Sequence, residues 1–105
     1  MQRQRCRLLV AERDGARIGF LFAEVEPPGA PAEAAASGWI HELFVAPEAR
    51  GRGVARALVA QADAFFAANR VQRVSVRVES GNAEALRYWQ DRGFAERARI
   101  LERFT

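Results

Sequence analysis

The stretch "VAPEARGRGVARALVAQA", residues 45–62, sets two glycines among arginines where an apolar strand end meets an alanine-rich helix. No other segment restricts the fold as much. Pro47 cannot continue a strand ladder and restrains the residue before it, so the chain must turn before the helix starts. The first turn of a helix carries N–H groups without internal partners and the positive end of the helix dipole, which together favour an anion. Gly51 and Gly53 would let a phosphate approach bare backbone, while Arg50, Arg52 and Arg56 add charge. Two readings stand at this point: a pyrophosphate cradle, or a glycine-rich turn with solubilising arginines. A P-loop is excluded, since "GRGVAR" supplies neither the lysine nor the hydroxyl for magnesium. A dinucleotide fingerprint would fit Gly51 and Gly53 but meets Arg56 at its third small position, and it requires a parallel βαβ unit.

Upstream the pattern is antiparallel. "CRLLVAERDGARIGFLFAEVE" is two alternating runs joined at Asp14-Gly15, which predicts a hairpin. Residues 27–38, "PPGAPAEAAASG", read as a surface loop. A third strand is expected over residues 39–45. A helix follows from about Val54 to Ala68, with Val54, Leu58, Ala62 and Phe65 as its core-facing stripe and Asn69 as its stop. A fourth strand over residues 73–79 turns Val74, Val76 and Val78 inward. "SGN" then opens a second helix to about Arg92, ended by Gly93. The run "FAERARILERF" is expected to close the chain as a last strand. The order β-β-β-α-β-α-β gives a mixed sheet with helices packed on it, an α+β class.

With 105 residues, the chain has room for one domain, residues 1–105. Half of it is hydrophobic, yet no apolar run approaches the ~20 residues of a membrane span. The basic start lacks an apolar signal region. Cys6 has no partner for an internal disulfide and suits a reducing cytoplasm. The 16 basic residues are all arginine and are spread along the chain, so a net charge of +3 reads as a solvated surface, and nucleic-acid binding is not expected.

Together with its surroundings the arginine-glycine loop resembles the GNAT superfamily of N-acetyltransferases. The family's cofactor signature, R/Q-x-x-G-x-G/A after a strand, is matched by "RGRGVA" at Arg50, Gly53 and Ala55. Its second signature, an asparagine opening a helix that ends in glycine-phenylalanine, is matched by "NAEALRYWQDRGF", residues 82–94. The resemblance runs from about Leu8 to the C-terminus. It implies acetyl-coenzyme A lying along the third strand, with pantetheine amides on the backbone of Leu43, Phe44 and Val45. The pyrophosphate would rest on the amides of Gly51, Arg52, Gly53, Val54, Ala55 and Arg56, beside Arg50. Asn82 matches the residue that hydrogen-bonds the pantetheine arm, and a plain helix N-cap explains it equally well.

Acetyl transfer to an amine needs the amine proton removed, the thioester oxygen's charge held and a thiolate released. The resemblance implies backbone N–H groups near Phe44 and Val45 for the oxygen. His41 and Glu42, in "WIHELFV", stand beside the proposed thioester, and either can draw a proton through water. As structural residues they would be a satisfied imidazole and an ion-pair partner. Regular alternation puts them on opposite faces, unless a bulge intervenes. Trp89 occupies the place of the family's usual tyrosine, within the expected cofactor contact. An indole N–H is no acid at neutral pH, so the thiolate would leave unassisted. Arg77 stands where some members carry a glutamate base, which leaves a surface arginine or a contact to an acidic acceptor as readings.

The expected function is a cytoplasmic N-acetyltransferase acting on a primary amine of a small molecule or peptide, by direct attack in a ternary complex. A non-catalytic acyl-coenzyme A binding or scaffold protein is the alternative. Without the family's usual first strand and front helices, apolar surface including Trp39 and Phe44 is expected to lie open, which predicts a homodimer whose partner completes the acceptor wall.

Overall fold

The computed structural model describes residues 5–29 and 35–105. Strand β1, Cys6–Arg13, and strand β2, Ala16–Glu26, form the expected hairpin. Asp14 and Gly15 both take positive φ, 51° and 81°, the left-handed pair that matches strand twist in a two-residue turn. Strand β3, Ala36–Val45, runs antiparallel to β2 and starts three residues before the expected Trp39. Part of the expected loop, residues 30–34, lies outside the described residues. A short 3-10 turn at Pro47–Ala49 leads to helix α1, Val54–Ala68. Strand β4, Val71–Val76, returns parallel to β3, so the four strands lie in the order β1-β2-β3-β4. Helix α2, Ala83–Gln90, follows.

Alternation along β2 sends Leu21, Ala23 and Val25 to one face, where α1 covers them. Val54, Leu58, Ala62 and Phe66 are the buried positions of α1. Phe66 therefore takes the last place in the stripe, and the expected Phe65 is half-buried at its margin, under the guanidinium of Arg7. Leu21 and Ile40 are almost wholly buried, each removing a side chain from water at roughly 2 kcal/mol. Two strand glycines let the helix sit this close. A Cβ on Gly19 would lie 2.8 Å from the Phe44 carbonyl oxygen and 3.3 Å from Val54 Cγ1, and one on Gly38 would lie 2.8 Å from the Phe66 ring.

Beyond α2 the chain departs from expectation. Residues 94–105 form no strand, and Ile100, Leu101 and Phe104 are exposed. Phe94, Ala98, Ile100 and Phe104 would share one strand face, with Leu101 on the other, but no strand among the described residues pairs with this run. Arg99 bonds Glu96 at 2.7 Å, a local i,i+3 contact. Phe94 alone turns back, packing edge-on against Trp89 with centroids 5.3 Å apart. Among the described residues no helix is long and apolar enough to cross a membrane.

Candidate functional site

Strands β3 and β4 part company halfway. Their parallel ladder runs from Ala36 opposite Val71 to Ile40 opposite Val76, where β4 ends, while β3 continues to Val45. Over this continuation β3 pairs with β2 alone, from Glu42 opposite Phe22 to Val45 opposite Gly19. Along its other edge this stretch has no backbone partner among the described residues. Ala46 donates its N–H to Ile18 across the β2 side, and antiparallel alternation then gives Phe44 the same orientation and turns the N–H groups of Leu43 and Val45 to the open edge. The backbone donors expected near Phe44 and Val45 are thus those of Leu43 and Val45.

The loop that follows is fastened to this edge. Arg50 donates from Nε to the Val45 carbonyl at 2.9 Å. Gly51 and Gly53 then take φ of 78° and 85°, and Gly53 is the N-cap of α1, with no side-chain cap. From Gly51 to Arg56 the amides have no backbone acceptor among the described residues. The first bonded one is Ala57, to Gly53 at 3.0 Å. A Cβ on either glycine would meet nothing within 4 Å, so both stand beside open space. No acidic residue sits in the first turn of α1 to compete for it, and Arg52 and Arg56 are exposed nearby. The donor set fits a phosphate group.

A bulge in β3 resolves the parity of His41 and Glu42. Phe22 faces Glu42 while Ala23 faces Ile40, so His41 is the extra residue. Both His41 and Glu42 emerge on the face opposite α1, and both are exposed. His41 Nε2 lies 2.7 Å from Glu24 Oε1, its ring stacked on Trp39 at 5° with centroids 6.0 Å apart. With the Nε2 proton donated to the carboxylate, the lone pair sits on Nδ1, free to accept a proton from water. Glu42 makes no hydrogen bond or ion pair among the described residues. Glu24, Glu26, Trp39, His41 and Arg77 line a cavity of ≈ 400 Å³ on this face.

Glu24 and Glu26 were not singled out in the sequence. The available signal was parity: both alternate with the buried Ala23 and Val25 and so had to share the face of Trp39.

Asn82 caps α2, its Oδ1 accepting from Ala85 N–H at 3.0 Å. Its amide NH2 has no protein partner among the described residues and remains available to a ligand. Trp89 is buried to 6% exposure, edge-on to Tyr88 at 5.0 Å, so packing takes nearly all of the indole and leaves little surface for a cofactor. The chain's one tyrosine, Tyr88, has a buried hydroxyl without a partner among the described residues.

The model of the acetyltransferase (GNAT) family matches residues 1–94. Mycothiol acetyltransferase of Tsukamurella paurometabola is 34% identical over 88 residues, covering 84% of this chain and 28% of the relative. That of Acidothermus cellulolyticus is 34% identical over 93 residues, covering 81% of this chain and 28% of the relative. The chain thus spans little more than a quarter of the length of these curated relatives. Among solved structures, the aminoglycoside N-acetyltransferase AAC(6')-Iy in complex with CoA superposes with a TM-score of 0.83 at 23% identity, over 99% of this chain and 69% of that one. An aminoglycoside acetyltransferase from an uncultured soil metagenomic sample, in complex with trehalose, gives 0.81 at 17% identity, over 98% and 67%. At these identities the likeness is one of fold.

Proposed function

The chain belongs to the acetyltransferase (GNAT) family, and we propose that it transfers acetyl from acetyl-coenzyme A to a primary amine, by direct attack in a ternary complex. One observation carries the reading. The unpartnered amides from Gly51 to Arg56 are tied by the Arg50–Val45 bond to the strand edge that opens where β4 ends. An elongated molecule with a pyrophosphate at one end and amides along its arm matches that layout, and acetyl-coenzyme A supplies the activated acetyl group when bound.

The chain's own residues divide the work. The amides from Gly51 to Arg56, with Arg52 and Arg56, hold phosphate charge. Leu43 and Val45 pair with the pantetheine arm and offer N–H donors where charge develops on the acyl oxygen. Asn82 donates to the arm from the amide that its capping bond leaves free. His41, oriented by Glu24, takes the amine proton through water, and Glu42 beside it is the other candidate. Neither Trp89, an indole buried in packing, nor any residue placed here serves as the acid, and a thiol of pKa near 8.5 leaves as thiolate without one.

The finer parts of the reading are a cytoplasmic location, suggested by the single thiol of Cys6, and a homodimer. Leu8, Val10 and Phe44 are exposed on the sheet face opposite α1, the side on which a second copy would stand beside the acceptor.

Calorimetry with coenzyme A and acetyl transfer to a panel of amines test the proposal. Micromolar binding with turnover supports it. Binding without turnover on any amine would favour the acyl-coenzyme A binding protein instead, and no binding would remove the cradle.

A further inference from the structure

The cavity on the outer sheet face is built from more than the proton-transfer pair. Glu24 and Glu26 stand two residues apart on β2, opposite Trp39 and Ser37 of β3. Glu24 is half engaged by His41, and Glu26 takes only a long 3.4 Å contact from the Trp39 indole N–H, so both retain free acceptor capacity. Trp39 and His41 stack as one aromatic wall. Arg77 enters from beyond β4, with no ion pair to either glutamate among the described residues. Two carboxylates against one guanidinium leave the lining net negative. Carboxylates beside the face of an indole are the groups that hold an organic ammonium ion.

Resting on the acetyltransferase reading, we infer that the preferred acceptor is a diamine, whose remote, protonated nitrogen lies in this cavity against Glu24, Glu26 and the Trp39 ring while its other amine is acetylated. The spacing follows from the strand. From Trp39, opposite Glu24, to the open edge at Leu43 is four residues of β3, about 13 Å at the usual rise and somewhat less across the bulge at His41. The two nitrogens should therefore stand on the order of 10 Å apart, which short diamines cannot span. Arg77 lies on the same wall and repels the bound ammonium, so it tempers affinity rather than supplying it.

The test compares unbranched terminal diamines with monoamines of equal length. The enzyme should use 1,8-diaminooctane about tenfold better, in kcat/KM, than either octylamine or 1,3-diaminopropane. Glu26→Gln should erase the preference over octylamine, while Arg77→Gln should lower KM for the long diamine severalfold. Glu26 lies at an exposed strand end, so the variant should fold. Equal use of 1,8-diaminooctane and octylamine by an active enzyme overturns the inference and leaves the proposed function standing. Weaker use of the diamine by Arg77→Gln also overturns it, since Arg77 would then be reading an anion. Should no amine be acetylated, the proposed function falls, and calorimetry with 1,8-diaminooctane alone judges the cavity. Binding lost in Glu26→Gln supports the inference, and no binding to the wild type overturns it.

Discussion

Arg50 and Val45 are joined by a 2.9 Å bond from guanidinium Nε to backbone carbonyl, which fixes the loop of free amides to the end of the strand with the free edge. The loop amides and the strand edge are thereby held in one register. Arg50 is exposed and contributes little to the core.

Arg50→Ala should therefore weaken coenzyme A binding about tenfold, with the loss of one charge-assisted hydrogen bond and one nearby cation, and change thermal stability little. Calorimetry and a melting curve on the same sample check both halves of this statement. Unchanged affinity would mean that the loop holds its shape without the tie.

Gly53→Val tests the cradle directly. The residue must take φ of 85° at the N-cap, where a β-branched side chain is strained by ~1–3 kcal/mol and would shift the loop backbone that the cradle depends on. Coenzyme A affinity should fall at least tenfold, while circular dichroism still reports a folded protein with a lowered Tm. Full affinity in that folded variant would remove the phosphate reading of the loop.

His41→Ala and Glu42→Gln separate the two candidate bases. A working base should cost roughly a hundredfold in kcat with coenzyme A affinity nearly intact. Because the Glu24 carboxylate holds Nε2 of His41, Glu24→Gln should repeat part of the His41→Ala loss if the imidazole is the base. Wild-type turnover in His41→Ala and Glu42→Gln alike would leave the amine to arrive already deprotonated.

Much of this site was legible because its signals are local. Asp14-Gly15 dictates a two-residue turn, Gly51 and Gly53 dictate left-handed backbone, and each needs only its neighbours to be read. What escaped was set by pairing across the sheet. The bulge at His41 exists only in the register of β3 against β2, and Glu24 reaches the imidazole from a residue 17 positions away. Phe66 displaced Phe65 from the stripe because Gly38 makes room for the Phe66 ring. The closing strand failed for a related reason: alternating-looking sequence becomes a strand only where a neighbouring edge and a buried face accept it.

Gly19→Ala probes how tightly sheet, helix and site are coupled. The added methyl would sit 2.8 Å from the Phe44 carbonyl oxygen, a backbone atom that cannot swing aside, and 3.3 Å from Val54 at the start of α1. Overpacking of this kind costs ~1–3 kcal/mol, so Tm should fall by several degrees. Since Phe44 and Val54 flank the open edge and the cradle, coenzyme A affinity should fall with it. A drop in Tm without a change in affinity would show the strand end to be stiffer than this packing implies.

The homodimer is tested on the sheet face opposite α1. There Leu8 at 59%, Val10 at 45% and Phe44 at 44% exposure leave apolar side chains in water, with Phe20 and Phe22 half-buried between them. A second copy related by a two-fold axis would cover this face with its own, and each partner would then border the other's cavity at Glu24 and Trp39. Leu8→Glu with Val10→Glu sets four like charges on such an interface and should yield a monomer, because desolvating unpaired carboxylates costs more than the apolar contact returns. Light scattering at micromolar concentration should report a dimer for the wild type and a monomer for the double variant. The monomer should still bind coenzyme A, whose proposed cradle lies at the N-terminus of α1, and lose acetyl transfer. A wild-type monomer with full activity would sink the dimer and leave that face as ordinary exposed strand.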